Sequence, residues 1–167
     1  MVGLGYRSMK QNVPIRIRAV VGINSGHAMF LEAPDKVFVI YVDDHMGRVL
    51  GDFMDERRHP RPLTHDLFHH TLLGFGISVR SVVIHDVRGE TFYARVVFRG
   101  QNEVLGTEKV VEVDARPSDA LALALRCKCP MLVAQRVLDE VEDRTDAIEQ
   151  YEREVRDREA GDVDLDA

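Results

Sequence analysis

The segment from Glu112 to Cys127 constrains the fold more than any other part of the chain. Its first residues alternate apolar and acidic side chains, which is the period of a half-buried β-strand. Pro117 then fixes a helical φ at a position where no backbone N–H is needed, so we expect it to be the first residue of a helix. From Ala120 to Leu125 alanine and leucine alternate, and a helix that is apolar on every side is expected to be buried. The sequence therefore predicts a strand that leads directly into a core helix.

Charged and polar side chains surround the predicted start of this core helix. They are Asp114, Arg116, Ser118 and Asp119. A carboxylate in the first turn of a helix accepts hydrogen bonds from free backbone N–H groups and complements the helix dipole. The free N–H groups also bind anions, and an adjacent arginine can hold a phosphate through two hydrogen bonds. This helix start is therefore a candidate anion site.

The chain contains a second helix start of the same kind. Arg61 and Pro62 precede a helical pattern in which Thr64 is the predicted N-cap. Helical spacing separates two arcs of side chains: an apolar arc with Leu67, Phe68, Thr71, Leu72 and Phe75, and a polar arc with His65, Asp66, His69 and His70. A surface helix packs its apolar arc against the core, so we expect the polar arc to be solvated. Zinc binding by His65 and His69 is an alternative that lacks a third matching ligand.

The composition is that of one folded domain. A chain of 167 residues with 45% apolar residues is long enough to bury a core. The longest apolar run, residues 37–42, has the length of a strand rather than of a membrane helix, and residues 1–11 lack an apolar signal core. Cys127 and Cys129 are too close in sequence to build a disulfide framework, so reduced structural thiols are favoured over a metal site. We therefore expect a cytoplasmic protein without a membrane partner.

The net charge of −6 is distributed unevenly along the chain. From Asp139 onward there are thirteen acidic and four basic residues, a net charge of −9. The rest of the chain has eighteen basic and fifteen acidic residues, a net charge of +3, and all seven histidines. A mildly basic body could approach phosphates, whereas an acidic tail would repel them or only aid solubility.

Strand and helix patterns follow one another in an order typical of an α+β domain. The sequence predicts a mixed, largely antiparallel sheet of about six or seven strands packed with three main helices. The third strand, residues 36–42, is apolar on both faces and is expected to be central in the sheet. We place the domain at residues 13–142 and an acidic C-terminal tail, helical or disordered, at residues 143–167.

Four short motifs follow one another in a distinctive order. They are Arg-Pro-Leu-Thr-His-Asp-Leu at 61–67, Thr-Phe-Tyr-Ala at 91–94, Asp-Ala-Arg-Pro-Ser-Asp-Ala at 114–120 and Pro-Met-Leu-Val at 130–133. This order resembles the bifunctional nuclease domain family over about residues 15–142. The resemblance implies a single compact α+β domain, a homo-oligomer with a dimer favoured, and DNase and RNase activity of low sequence specificity. The chain departs from the family pattern at Met46, where the family usually has a glutamate; Asp43, Asp44 or His45 are candidate substitutes.

The two helix starts supply the residue types that phosphodiester hydrolysis requires. The reaction needs charge neutralisation and an activated water, often through divalent metals held by carboxylates. The candidate catalytic residues are His65, Asp66 and Asp119. The candidate phosphate-binding residues are Arg61, Thr64, Arg116 and Ser118. The candidate ligands of Mg²⁺ or Mn²⁺ are Asp66, Asp114 and Asp119.

A structural interpretation of the same residues is also open. Asp66 and Asp119 could cap their helices, and Arg61 and Arg116 could pair with them in a polar network that binds no ligand. The chain would then be a non-catalytic, oligomeric binding or regulatory module. The catalytic interpretation requires that the two helix starts meet at one solvent-accessible place, and the structural interpretation does not.

Overall fold

Seven strands and five helices make up the computed structural model, which describes residues 12–102 and 106–163. The strands are β1 Asn12–Ile23, β2 Gly26–Glu32, β3 Val37–Val42, β4 Ile77–Arg88, β5 Thr91–Asn102, β6 Thr107–Ala115 and β7 Met131–Ala134. The helices are α1 Asp44–Met54, α2 Thr64–Gly74, α3 Pro117–Cys127, α4 Gln135–Glu140 and α5 Thr145–Val163. The predicted α+β class is confirmed.

The strands form one mixed sheet in the order β3-β2-β1-β7-β4-β5-β6. All neighbouring pairs are antiparallel except β7 and β4, which are parallel. β4 and β5 form a hairpin, and Gly89 at its turn has φ +58°, a conformation that favours glycine. The β1–β2–β3 meander and the β4–β5–β6 hairpins therefore lie at opposite ends of the sheet. Strand β7 joins them by pairing with β1 and β4.

The main core lies between one face of the sheet and helices α1, α3 and α4. Pro117 is the first residue of α3, as predicted, and the helix is buried along Ala120, Leu121, Ala122, Leu123 and Ala124. A buried stripe of α1 and the inward side chains of the central strands surround α3. Because α3 is buried in this way, it is the central helix of the helical layer, and α1 and α4 pack in the same layer.

The C-terminal helix α5 covers the opposite face of the sheet. Ile148 of α5 is fully buried against Ala28, Phe30 and Val37. Arg18 of β1 pairs with Glu152, its guanidinium Nε donating to the carboxylate at 2.8 Å. Residues 145–163, for which helix and disorder were both open from the sequence, are therefore helical, and the first two turns of this helix are packed on the sheet.

The prediction that the third strand is central in the sheet was wrong, since β3 is an edge strand. Both of its faces are nevertheless covered: Phe38 packs into the main core and Val37 packs under α5. The start of α5 also closes one end of the open edge, where Arg144 donates its backbone N–H to the Val37 carbonyl at 2.7 Å. An apolar pattern on both faces reports burial, and it does not tell whether a strand or a helix provides the cover.

Two further expectations about burial were wrong, and both concern the β6 end of the sheet. In α2, Leu67 and Phe75 of the apolar arc are 63% and 79% exposed, and Leu72 is the one member of that arc that is buried. His65 and Asp66 of the polar arc face the protein. On β6, Val111 and Val113 are exposed rather than half-buried, because no described element covers this edge strand. The polar arc of α2 turns inward because α3 offers it charged partners.

Two glycines of α1 give a matched pair of stability predictions. A methyl group on Gly47 would lie 2.1 Å from the His27 ring, whereas one on Gly51 would meet nothing within 4 Å. We expect Gly47→Ala to lower the free energy of unfolding by about 1–3 kcal/mol through overpacking. We expect Gly51→Ala to raise it by up to about 1 kcal/mol, since alanine is the better helix former. Urea unfolding followed by circular dichroism measures both, and equal effects at the two positions would contradict the contact.

Candidate functional site

The starts of α2 and α3 lie side by side. His65, in the first turn of α2, has its Nε2 atom 3.4 Å from Oδ1 of Asp119 in the first turn of α3. The other oxygen of Asp119 accepts a hydrogen bond from Nε of Arg116 at 2.7 Å. These three residues form a continuous His65–Asp119–Arg116 cluster. The two helix starts thus meet at one place, as the sequence hypothesis requires.

The cluster is open to solvent on the α3 side and closed on the α2 side. Arg116 is exposed, Asp119 is partly exposed, and the His65 ring is largely buried. The hydrogen bond from Arg116 to Asp119 raises the pKa of the guanidinium above its usual value, with a further contribution from the carboxylate of Asp43. Only Nε of Arg116 bonds to Asp119. A ligand that reached this cluster would therefore meet a charged arginine with its terminal amino groups available.

Packing beneath the cluster fixes the His65 ring. The ring lies edge-on to Phe53 of α1, with centroids 6.1 Å apart and an interplanar angle of 88°. The guanidinium of Arg126, in the last turn of α3, lies over the Phe53 ring at 4.7 Å from its centroid. Arg126 also pairs with Asp66. Helices α1, α2 and α3 therefore all contribute to the position of His65.

Asp66 has a structural role in this arrangement. Its Oδ2 accepts the backbone N–H of Leu63 at 2.8 Å, which caps the start of α2, and its Oδ1 pairs with Arg126. The residue is only 5% exposed. Both oxygens are thus engaged and withdrawn from solvent. The structural interpretation fits Asp66, whereas the carboxylate of Asp119 faces His65 and Arg116 rather than the backbone.

The remaining predicted site residues are spread over a wider area. Thr64 is exposed and is the first residue of α2; the N-cap is Leu63, so the N-cap prediction was wrong by one residue. Arg61 is exposed in the segment that precedes α2. Asp114 is exposed on β6 in register with Arg95, whose carboxylate partner is Glu112. Ser118 is buried at the start of α3.

The carboxylates predicted to hold a metal are not assembled into one site. Asp66 is occupied by Leu63 and Arg126. Asp114 lies on the strand face opposite to the main core, since its neighbour Ala115 packs against that core. In the described part of the chain no three His, Cys, Asp or Glu side chains are grouped as a metal requires. The residues present therefore do not fit a metal ion held by the protein alone, because a third ligand is missing.

A cavity of about 700 Å³ adjoins the start of α3. It lies between β3, the turn of the β4–β5 hairpin and the segment that joins α4 to α5. The lining side chains that carry charge or an aromatic ring are Phe38, Tyr41, Asp43, Glu90, Phe92, Arg116, Glu140, Glu142 and Arg144. Ser118 also lines it. We call this space the α3 cavity; Arg116 belongs both to its lip and to the His65–Asp119–Arg116 cluster.

Sequence reasoning missed several residues that build this region. Tyr41, 69% exposed on the edge strand, was counted as part of an apolar run, although a tyrosine next to two aspartates was a visible signal. Phe53 and Arg126 support His65 from below, and the seven-residue spacing between Asp119 and Arg126 places both on one side of α3. Met46, where the family usually has glutamate, is 3% exposed in the main core.

Two further observations concern the thiols and the helices. Burial raises the pKa of Cys127 to about 11 and that of Cys129 to about 12, and both are free thiols. Such thiols remain protonated at neutral pH and are poor nucleophiles or metal ligands. Within residues 12–102 and 106–163, no helix combines the length and apolar character that a membrane crossing requires.

Comparison with known proteins places this region in a recognised family. The family model described as the bifunctional nuclease domain matches residues 29–146, a span that contains both helix starts and the α3 cavity. The chain is 40% identical over 79 residues to an uncharacterized protein of Mycobacterium tuberculosis, which covers 47% of this chain and 43% of that protein.

A rice protein named Bifunctional nuclease 1, from Oryza sativa subsp. japonica, is also similar. It is 30% identical over 114 residues, which covers 66% of this chain and 34% of the rice protein. A protein of Oryza minuta named Bifunctional nuclease matches to the same extent. The chain spans less than half the length of the curated relatives it matches, so the relatives contain further sequence with no counterpart in the alignment.

Proposed function

This chain belongs to the bifunctional nuclease domain family, and we propose that it hydrolyses phosphodiester bonds of DNA or RNA at the paired starts of α2 and α3. The observation that carries the proposal is the His65–Asp119–Arg116 cluster, in which Nε2 of His65 lies 3.4 Å from Asp119. This cluster joins a proton-transfer group to a phosphate-binding group at one solvent-accessible place. The mildly basic body of the chain favours the approach of a nucleic acid.

Each residue of the cluster has a distinct chemical role in this proposal. Arg116 and the free N–H groups of the first turn of α3 hold the phosphate and neutralise charge that develops on it. Asp119 orients the His65 imidazole through Nε2, which leaves the second ring nitrogen to accept a proton from water. The activated water forms the new P–O bond, and the bond to the leaving oxygen breaks as that oxygen takes a proton. Asp66 supports the site by capping α2 and fixing Arg126.

The divalent metal predicted from the sequence stays a prediction. The chain's own carboxylates do not form a complete ligand set, so the proposed steps above use protein groups alone. The predicted roles of Arg61, Thr64 and Ser118 in holding phosphate, and the cytoplasmic location, also stay predictions. An assay with Mg²⁺, Mn²⁺ or EDTA decides whether the activity needs a metal.

The test of the proposal is cleavage of labelled DNA and RNA by highly purified protein and by an Asp119→Asn variant. We expect Asp119→Asn to lower the cleavage rate by about 10–1,000-fold, because the amide neither orients the imidazole nor balances Arg116. The matched control is Asp157→Asn, which removes the same charge from the exposed part of α5. Cleavage that Asp119→Asn leaves unchanged would indicate a contaminant and remove this site; the chain would then stand as a binding or regulatory module.

A second proposal concerns assembly: we infer that the chain forms a homodimer through an apolar surface at the β6 end of the sheet. The surface consists of Leu67, Phe68, Phe75, Val111 and Val113, all of them exposed. Phe68 packs edge-on against Phe98, and Phe98 lies opposite Val111 on β6, so the α2 and β6 parts are continuous. Exposed apolar patches of this kind mark protein interfaces. Sedimentation equilibrium measures the assembly, and a monomer throughout the micromolar range would contradict it.

A further inference from the structure

The outer edge of β3 is a candidate binding site for another polypeptide. We propose that an extended, basic segment of a partner protein lies in the α3 cavity and adds one strand to the sheet there. Backbone hydrogen bonds to Val39 and Tyr41 hold this segment, and acidic side chains of the cavity select its charge. The inference concerns a binding partner and does not depend on the proposed phosphodiester chemistry, so the two can fail separately.

The backbone groups of β3 alternate between its two sides. The Val37 N–H donates to Oγ1 of Thr145 at 3.2 Å, and its carbonyl accepts the N–H of Arg144 at 2.7 Å. Both backbone groups of Val37 therefore point away from β2. In an antiparallel pair this orientation recurs at every second residue, and β3 pairs with β2 in one continuous register. The N–H and C=O groups of Val39 and Tyr41 therefore point outward from the sheet as well.

These four outward groups border the α3 cavity. The start of α5 takes the place of a neighbouring strand only at Val37, and nothing within residues 12–102 and 106–163 pairs with the outward groups of Val39 and Tyr41. Residues 38–43 line the cavity without a gap. Side chains of a strand alternate between two faces, so consecutive residues line one space when the strand presents its edge to it. The cavity thus offers two N–H donors and two C=O acceptors with the spacing of a β-ladder.

The sequence of β3 leaves its edge open to pairing. Exposed sheet edges are usually protected by charged side chains, proline or bulges. The other edge strand, β6, follows this rule and carries Glu108, Lys109, Glu112 and Asp114. Strand β3 consists only of valine, phenylalanine, isoleucine and tyrosine. Tyr41 is 69% exposed on the face of the sheet that α5 covers, and an added strand would place a side chain next to its ring.

The cavity has the dimensions of a site for a single extended chain. Its volume is about 700 Å³, within the range of about 300–1,000 Å³ that is typical of ligand pockets. The β4–β5 turn, with Gly89 and Glu90, and the segment before α5, with Val141, also line it. A space that the chain itself bounds on several sides admits an extended segment more readily than the edge of a second folded sheet. About four or five residues of such a segment span the open part of the edge.

The charges around the cavity favour a basic segment. Its lining includes four acidic and two basic residues: Asp43, Glu90, Glu140, Glu142, Arg116 and Arg144. Both arginines already pair with a carboxylate. Glu90 and Glu140 are exposed, and neither has an ion-pair partner in the part of the chain that the structure describes. Lysine or arginine side chains of the added strand complement these two carboxylates.

The experiment measures fluorescence anisotropy of a labelled hexapeptide of alternating valine and lysine, blocked at both ends, in titrations with the full chain. A matched peptide with glutamate in place of lysine should bind at least about tenfold more weakly. Two further peptides carry N-methyl groups, one on its valine amides and the other on its lysine amides. Only one of these sets faces β3 in a paired strand. We therefore expect one methylated peptide to lose affinity at least about tenfold and the other to stay within about threefold.

Variants of the chain test the same contacts from the other side. Tyr41→Pro removes one outward N–H and keeps the pairing of β3 with β2, since proline is tolerated on edge strands. It should bind the valine–lysine peptide at least about tenfold more weakly than Tyr41→Ala, which keeps the N–H. Glu90→Gln should weaken binding about threefold, whereas the control Glu149→Gln, at an exposed position of α5 outside the cavity, should not. Circular dichroism checks the fold, and the methylated peptides decide the matter if Tyr41→Pro unfolds.

The outcomes separate strand pairing from other kinds of binding. Equal loss of affinity in both methylated peptides, or loss in neither, would overturn the inference. Equal affinity for the lysine and glutamate peptides would overturn the assignment of a basic partner. A chain that bound no peptide, and that changed from dimer to monomer in Tyr41→Pro, would assign the edge to a second copy and overturn the inference as well.

Discussion

Replacing His65 by alanine is expected to reduce nucleic-acid cleavage by about 10²–10⁴-fold, the usual contribution of a positioned acid–base group. His65 is the imidazole of the proposed cluster, the side chain used most often in general acid–base catalysis, and its ring is fixed by Phe53 and Asp119. His65→Gln should lose nearly as much, since it can hydrogen-bond but cannot exchange a proton. Initial rates on a fluorescent oligonucleotide measure the effect.

A purely structural role for His65 predicts different results. The matched control is His70→Ala, an exposed histidine of the same helix that stacks on His69. If both His65 variants lost activity only in proportion to their loss of folded protein, the catalytic assignment would be wrong.

Replacing Ile148 by aspartate is expected to lower the free energy of unfolding by about 3–5 kcal/mol. Ile148 is fully buried between α5 and the sheet, where it contacts Ala28, Phe30 and Val37. The substitution removes that apolar contact and places a carboxylate in a pocket with no described partner for it. Chemical unfolding followed by circular dichroism measures the change, and the variant should also lose the helical signal of α5.

The neighbouring residue provides a control that adds the same charge. Ala147 is exposed on α5, so Ala147→Asp should change the free energy of unfolding by no more than about 0.5 kcal/mol. If both substitutions had small effects, α5 would contribute little to the fold in solution. That result would support the predicted division of the chain into a domain at residues 13–142 and a separate acidic tail. Without it, this division stays a prediction.

Local patterns predicted the elements well where their physical cause is local. Pro117 acts through its own backbone conformation, and it is the first residue of α3, as the sequence predicted. The alternation of alanine and leucine in α3 predicted burial on every side, because a helix without a polar face has no other stable environment. The four motifs predicted the family, which the matching family model confirms.

The predictions that failed concerned the packing of one element of the structure against another. The spacing of Leu67 and Phe75 defined an apolar arc of α2 correctly, but it could not show that Asp119 and Arg126 of α3 would draw His65 and Asp66 inward. A charged partner on a neighbouring helix outweighs the preference of an apolar arc for the core when that arc can face another chain.

The candidate site was predicted in part for the same reason. The two Arg-Pro motifs marked both helix starts as candidate sites, and the structure then shows that the two starts meet, with His65 beside Asp119. The different roles of the two aspartates could not be predicted, since Asp66 and Asp119 are each the third residue of their helix. Only the tertiary structure shows that the partner of Asp66 is Arg126 and that Asp119 stays open to solvent. The α3 cavity depends on strands from opposite ends of the sheet and has no signature in any one segment.

The burial of Met46 has a consequence for attempts to engineer this chain. Its side chain lies in the main core, so a glutamate at position 46, which the family resemblance implies, would bury an unpaired carboxylate and lower the free energy of unfolding. An acidic group meant to face the substrate has to be introduced or tuned one turn earlier, where Asp43 and Asp44 already reach the surface. The surface of α1, rather than its buried stripe, is therefore the place from which an acidic site in this chain can be designed.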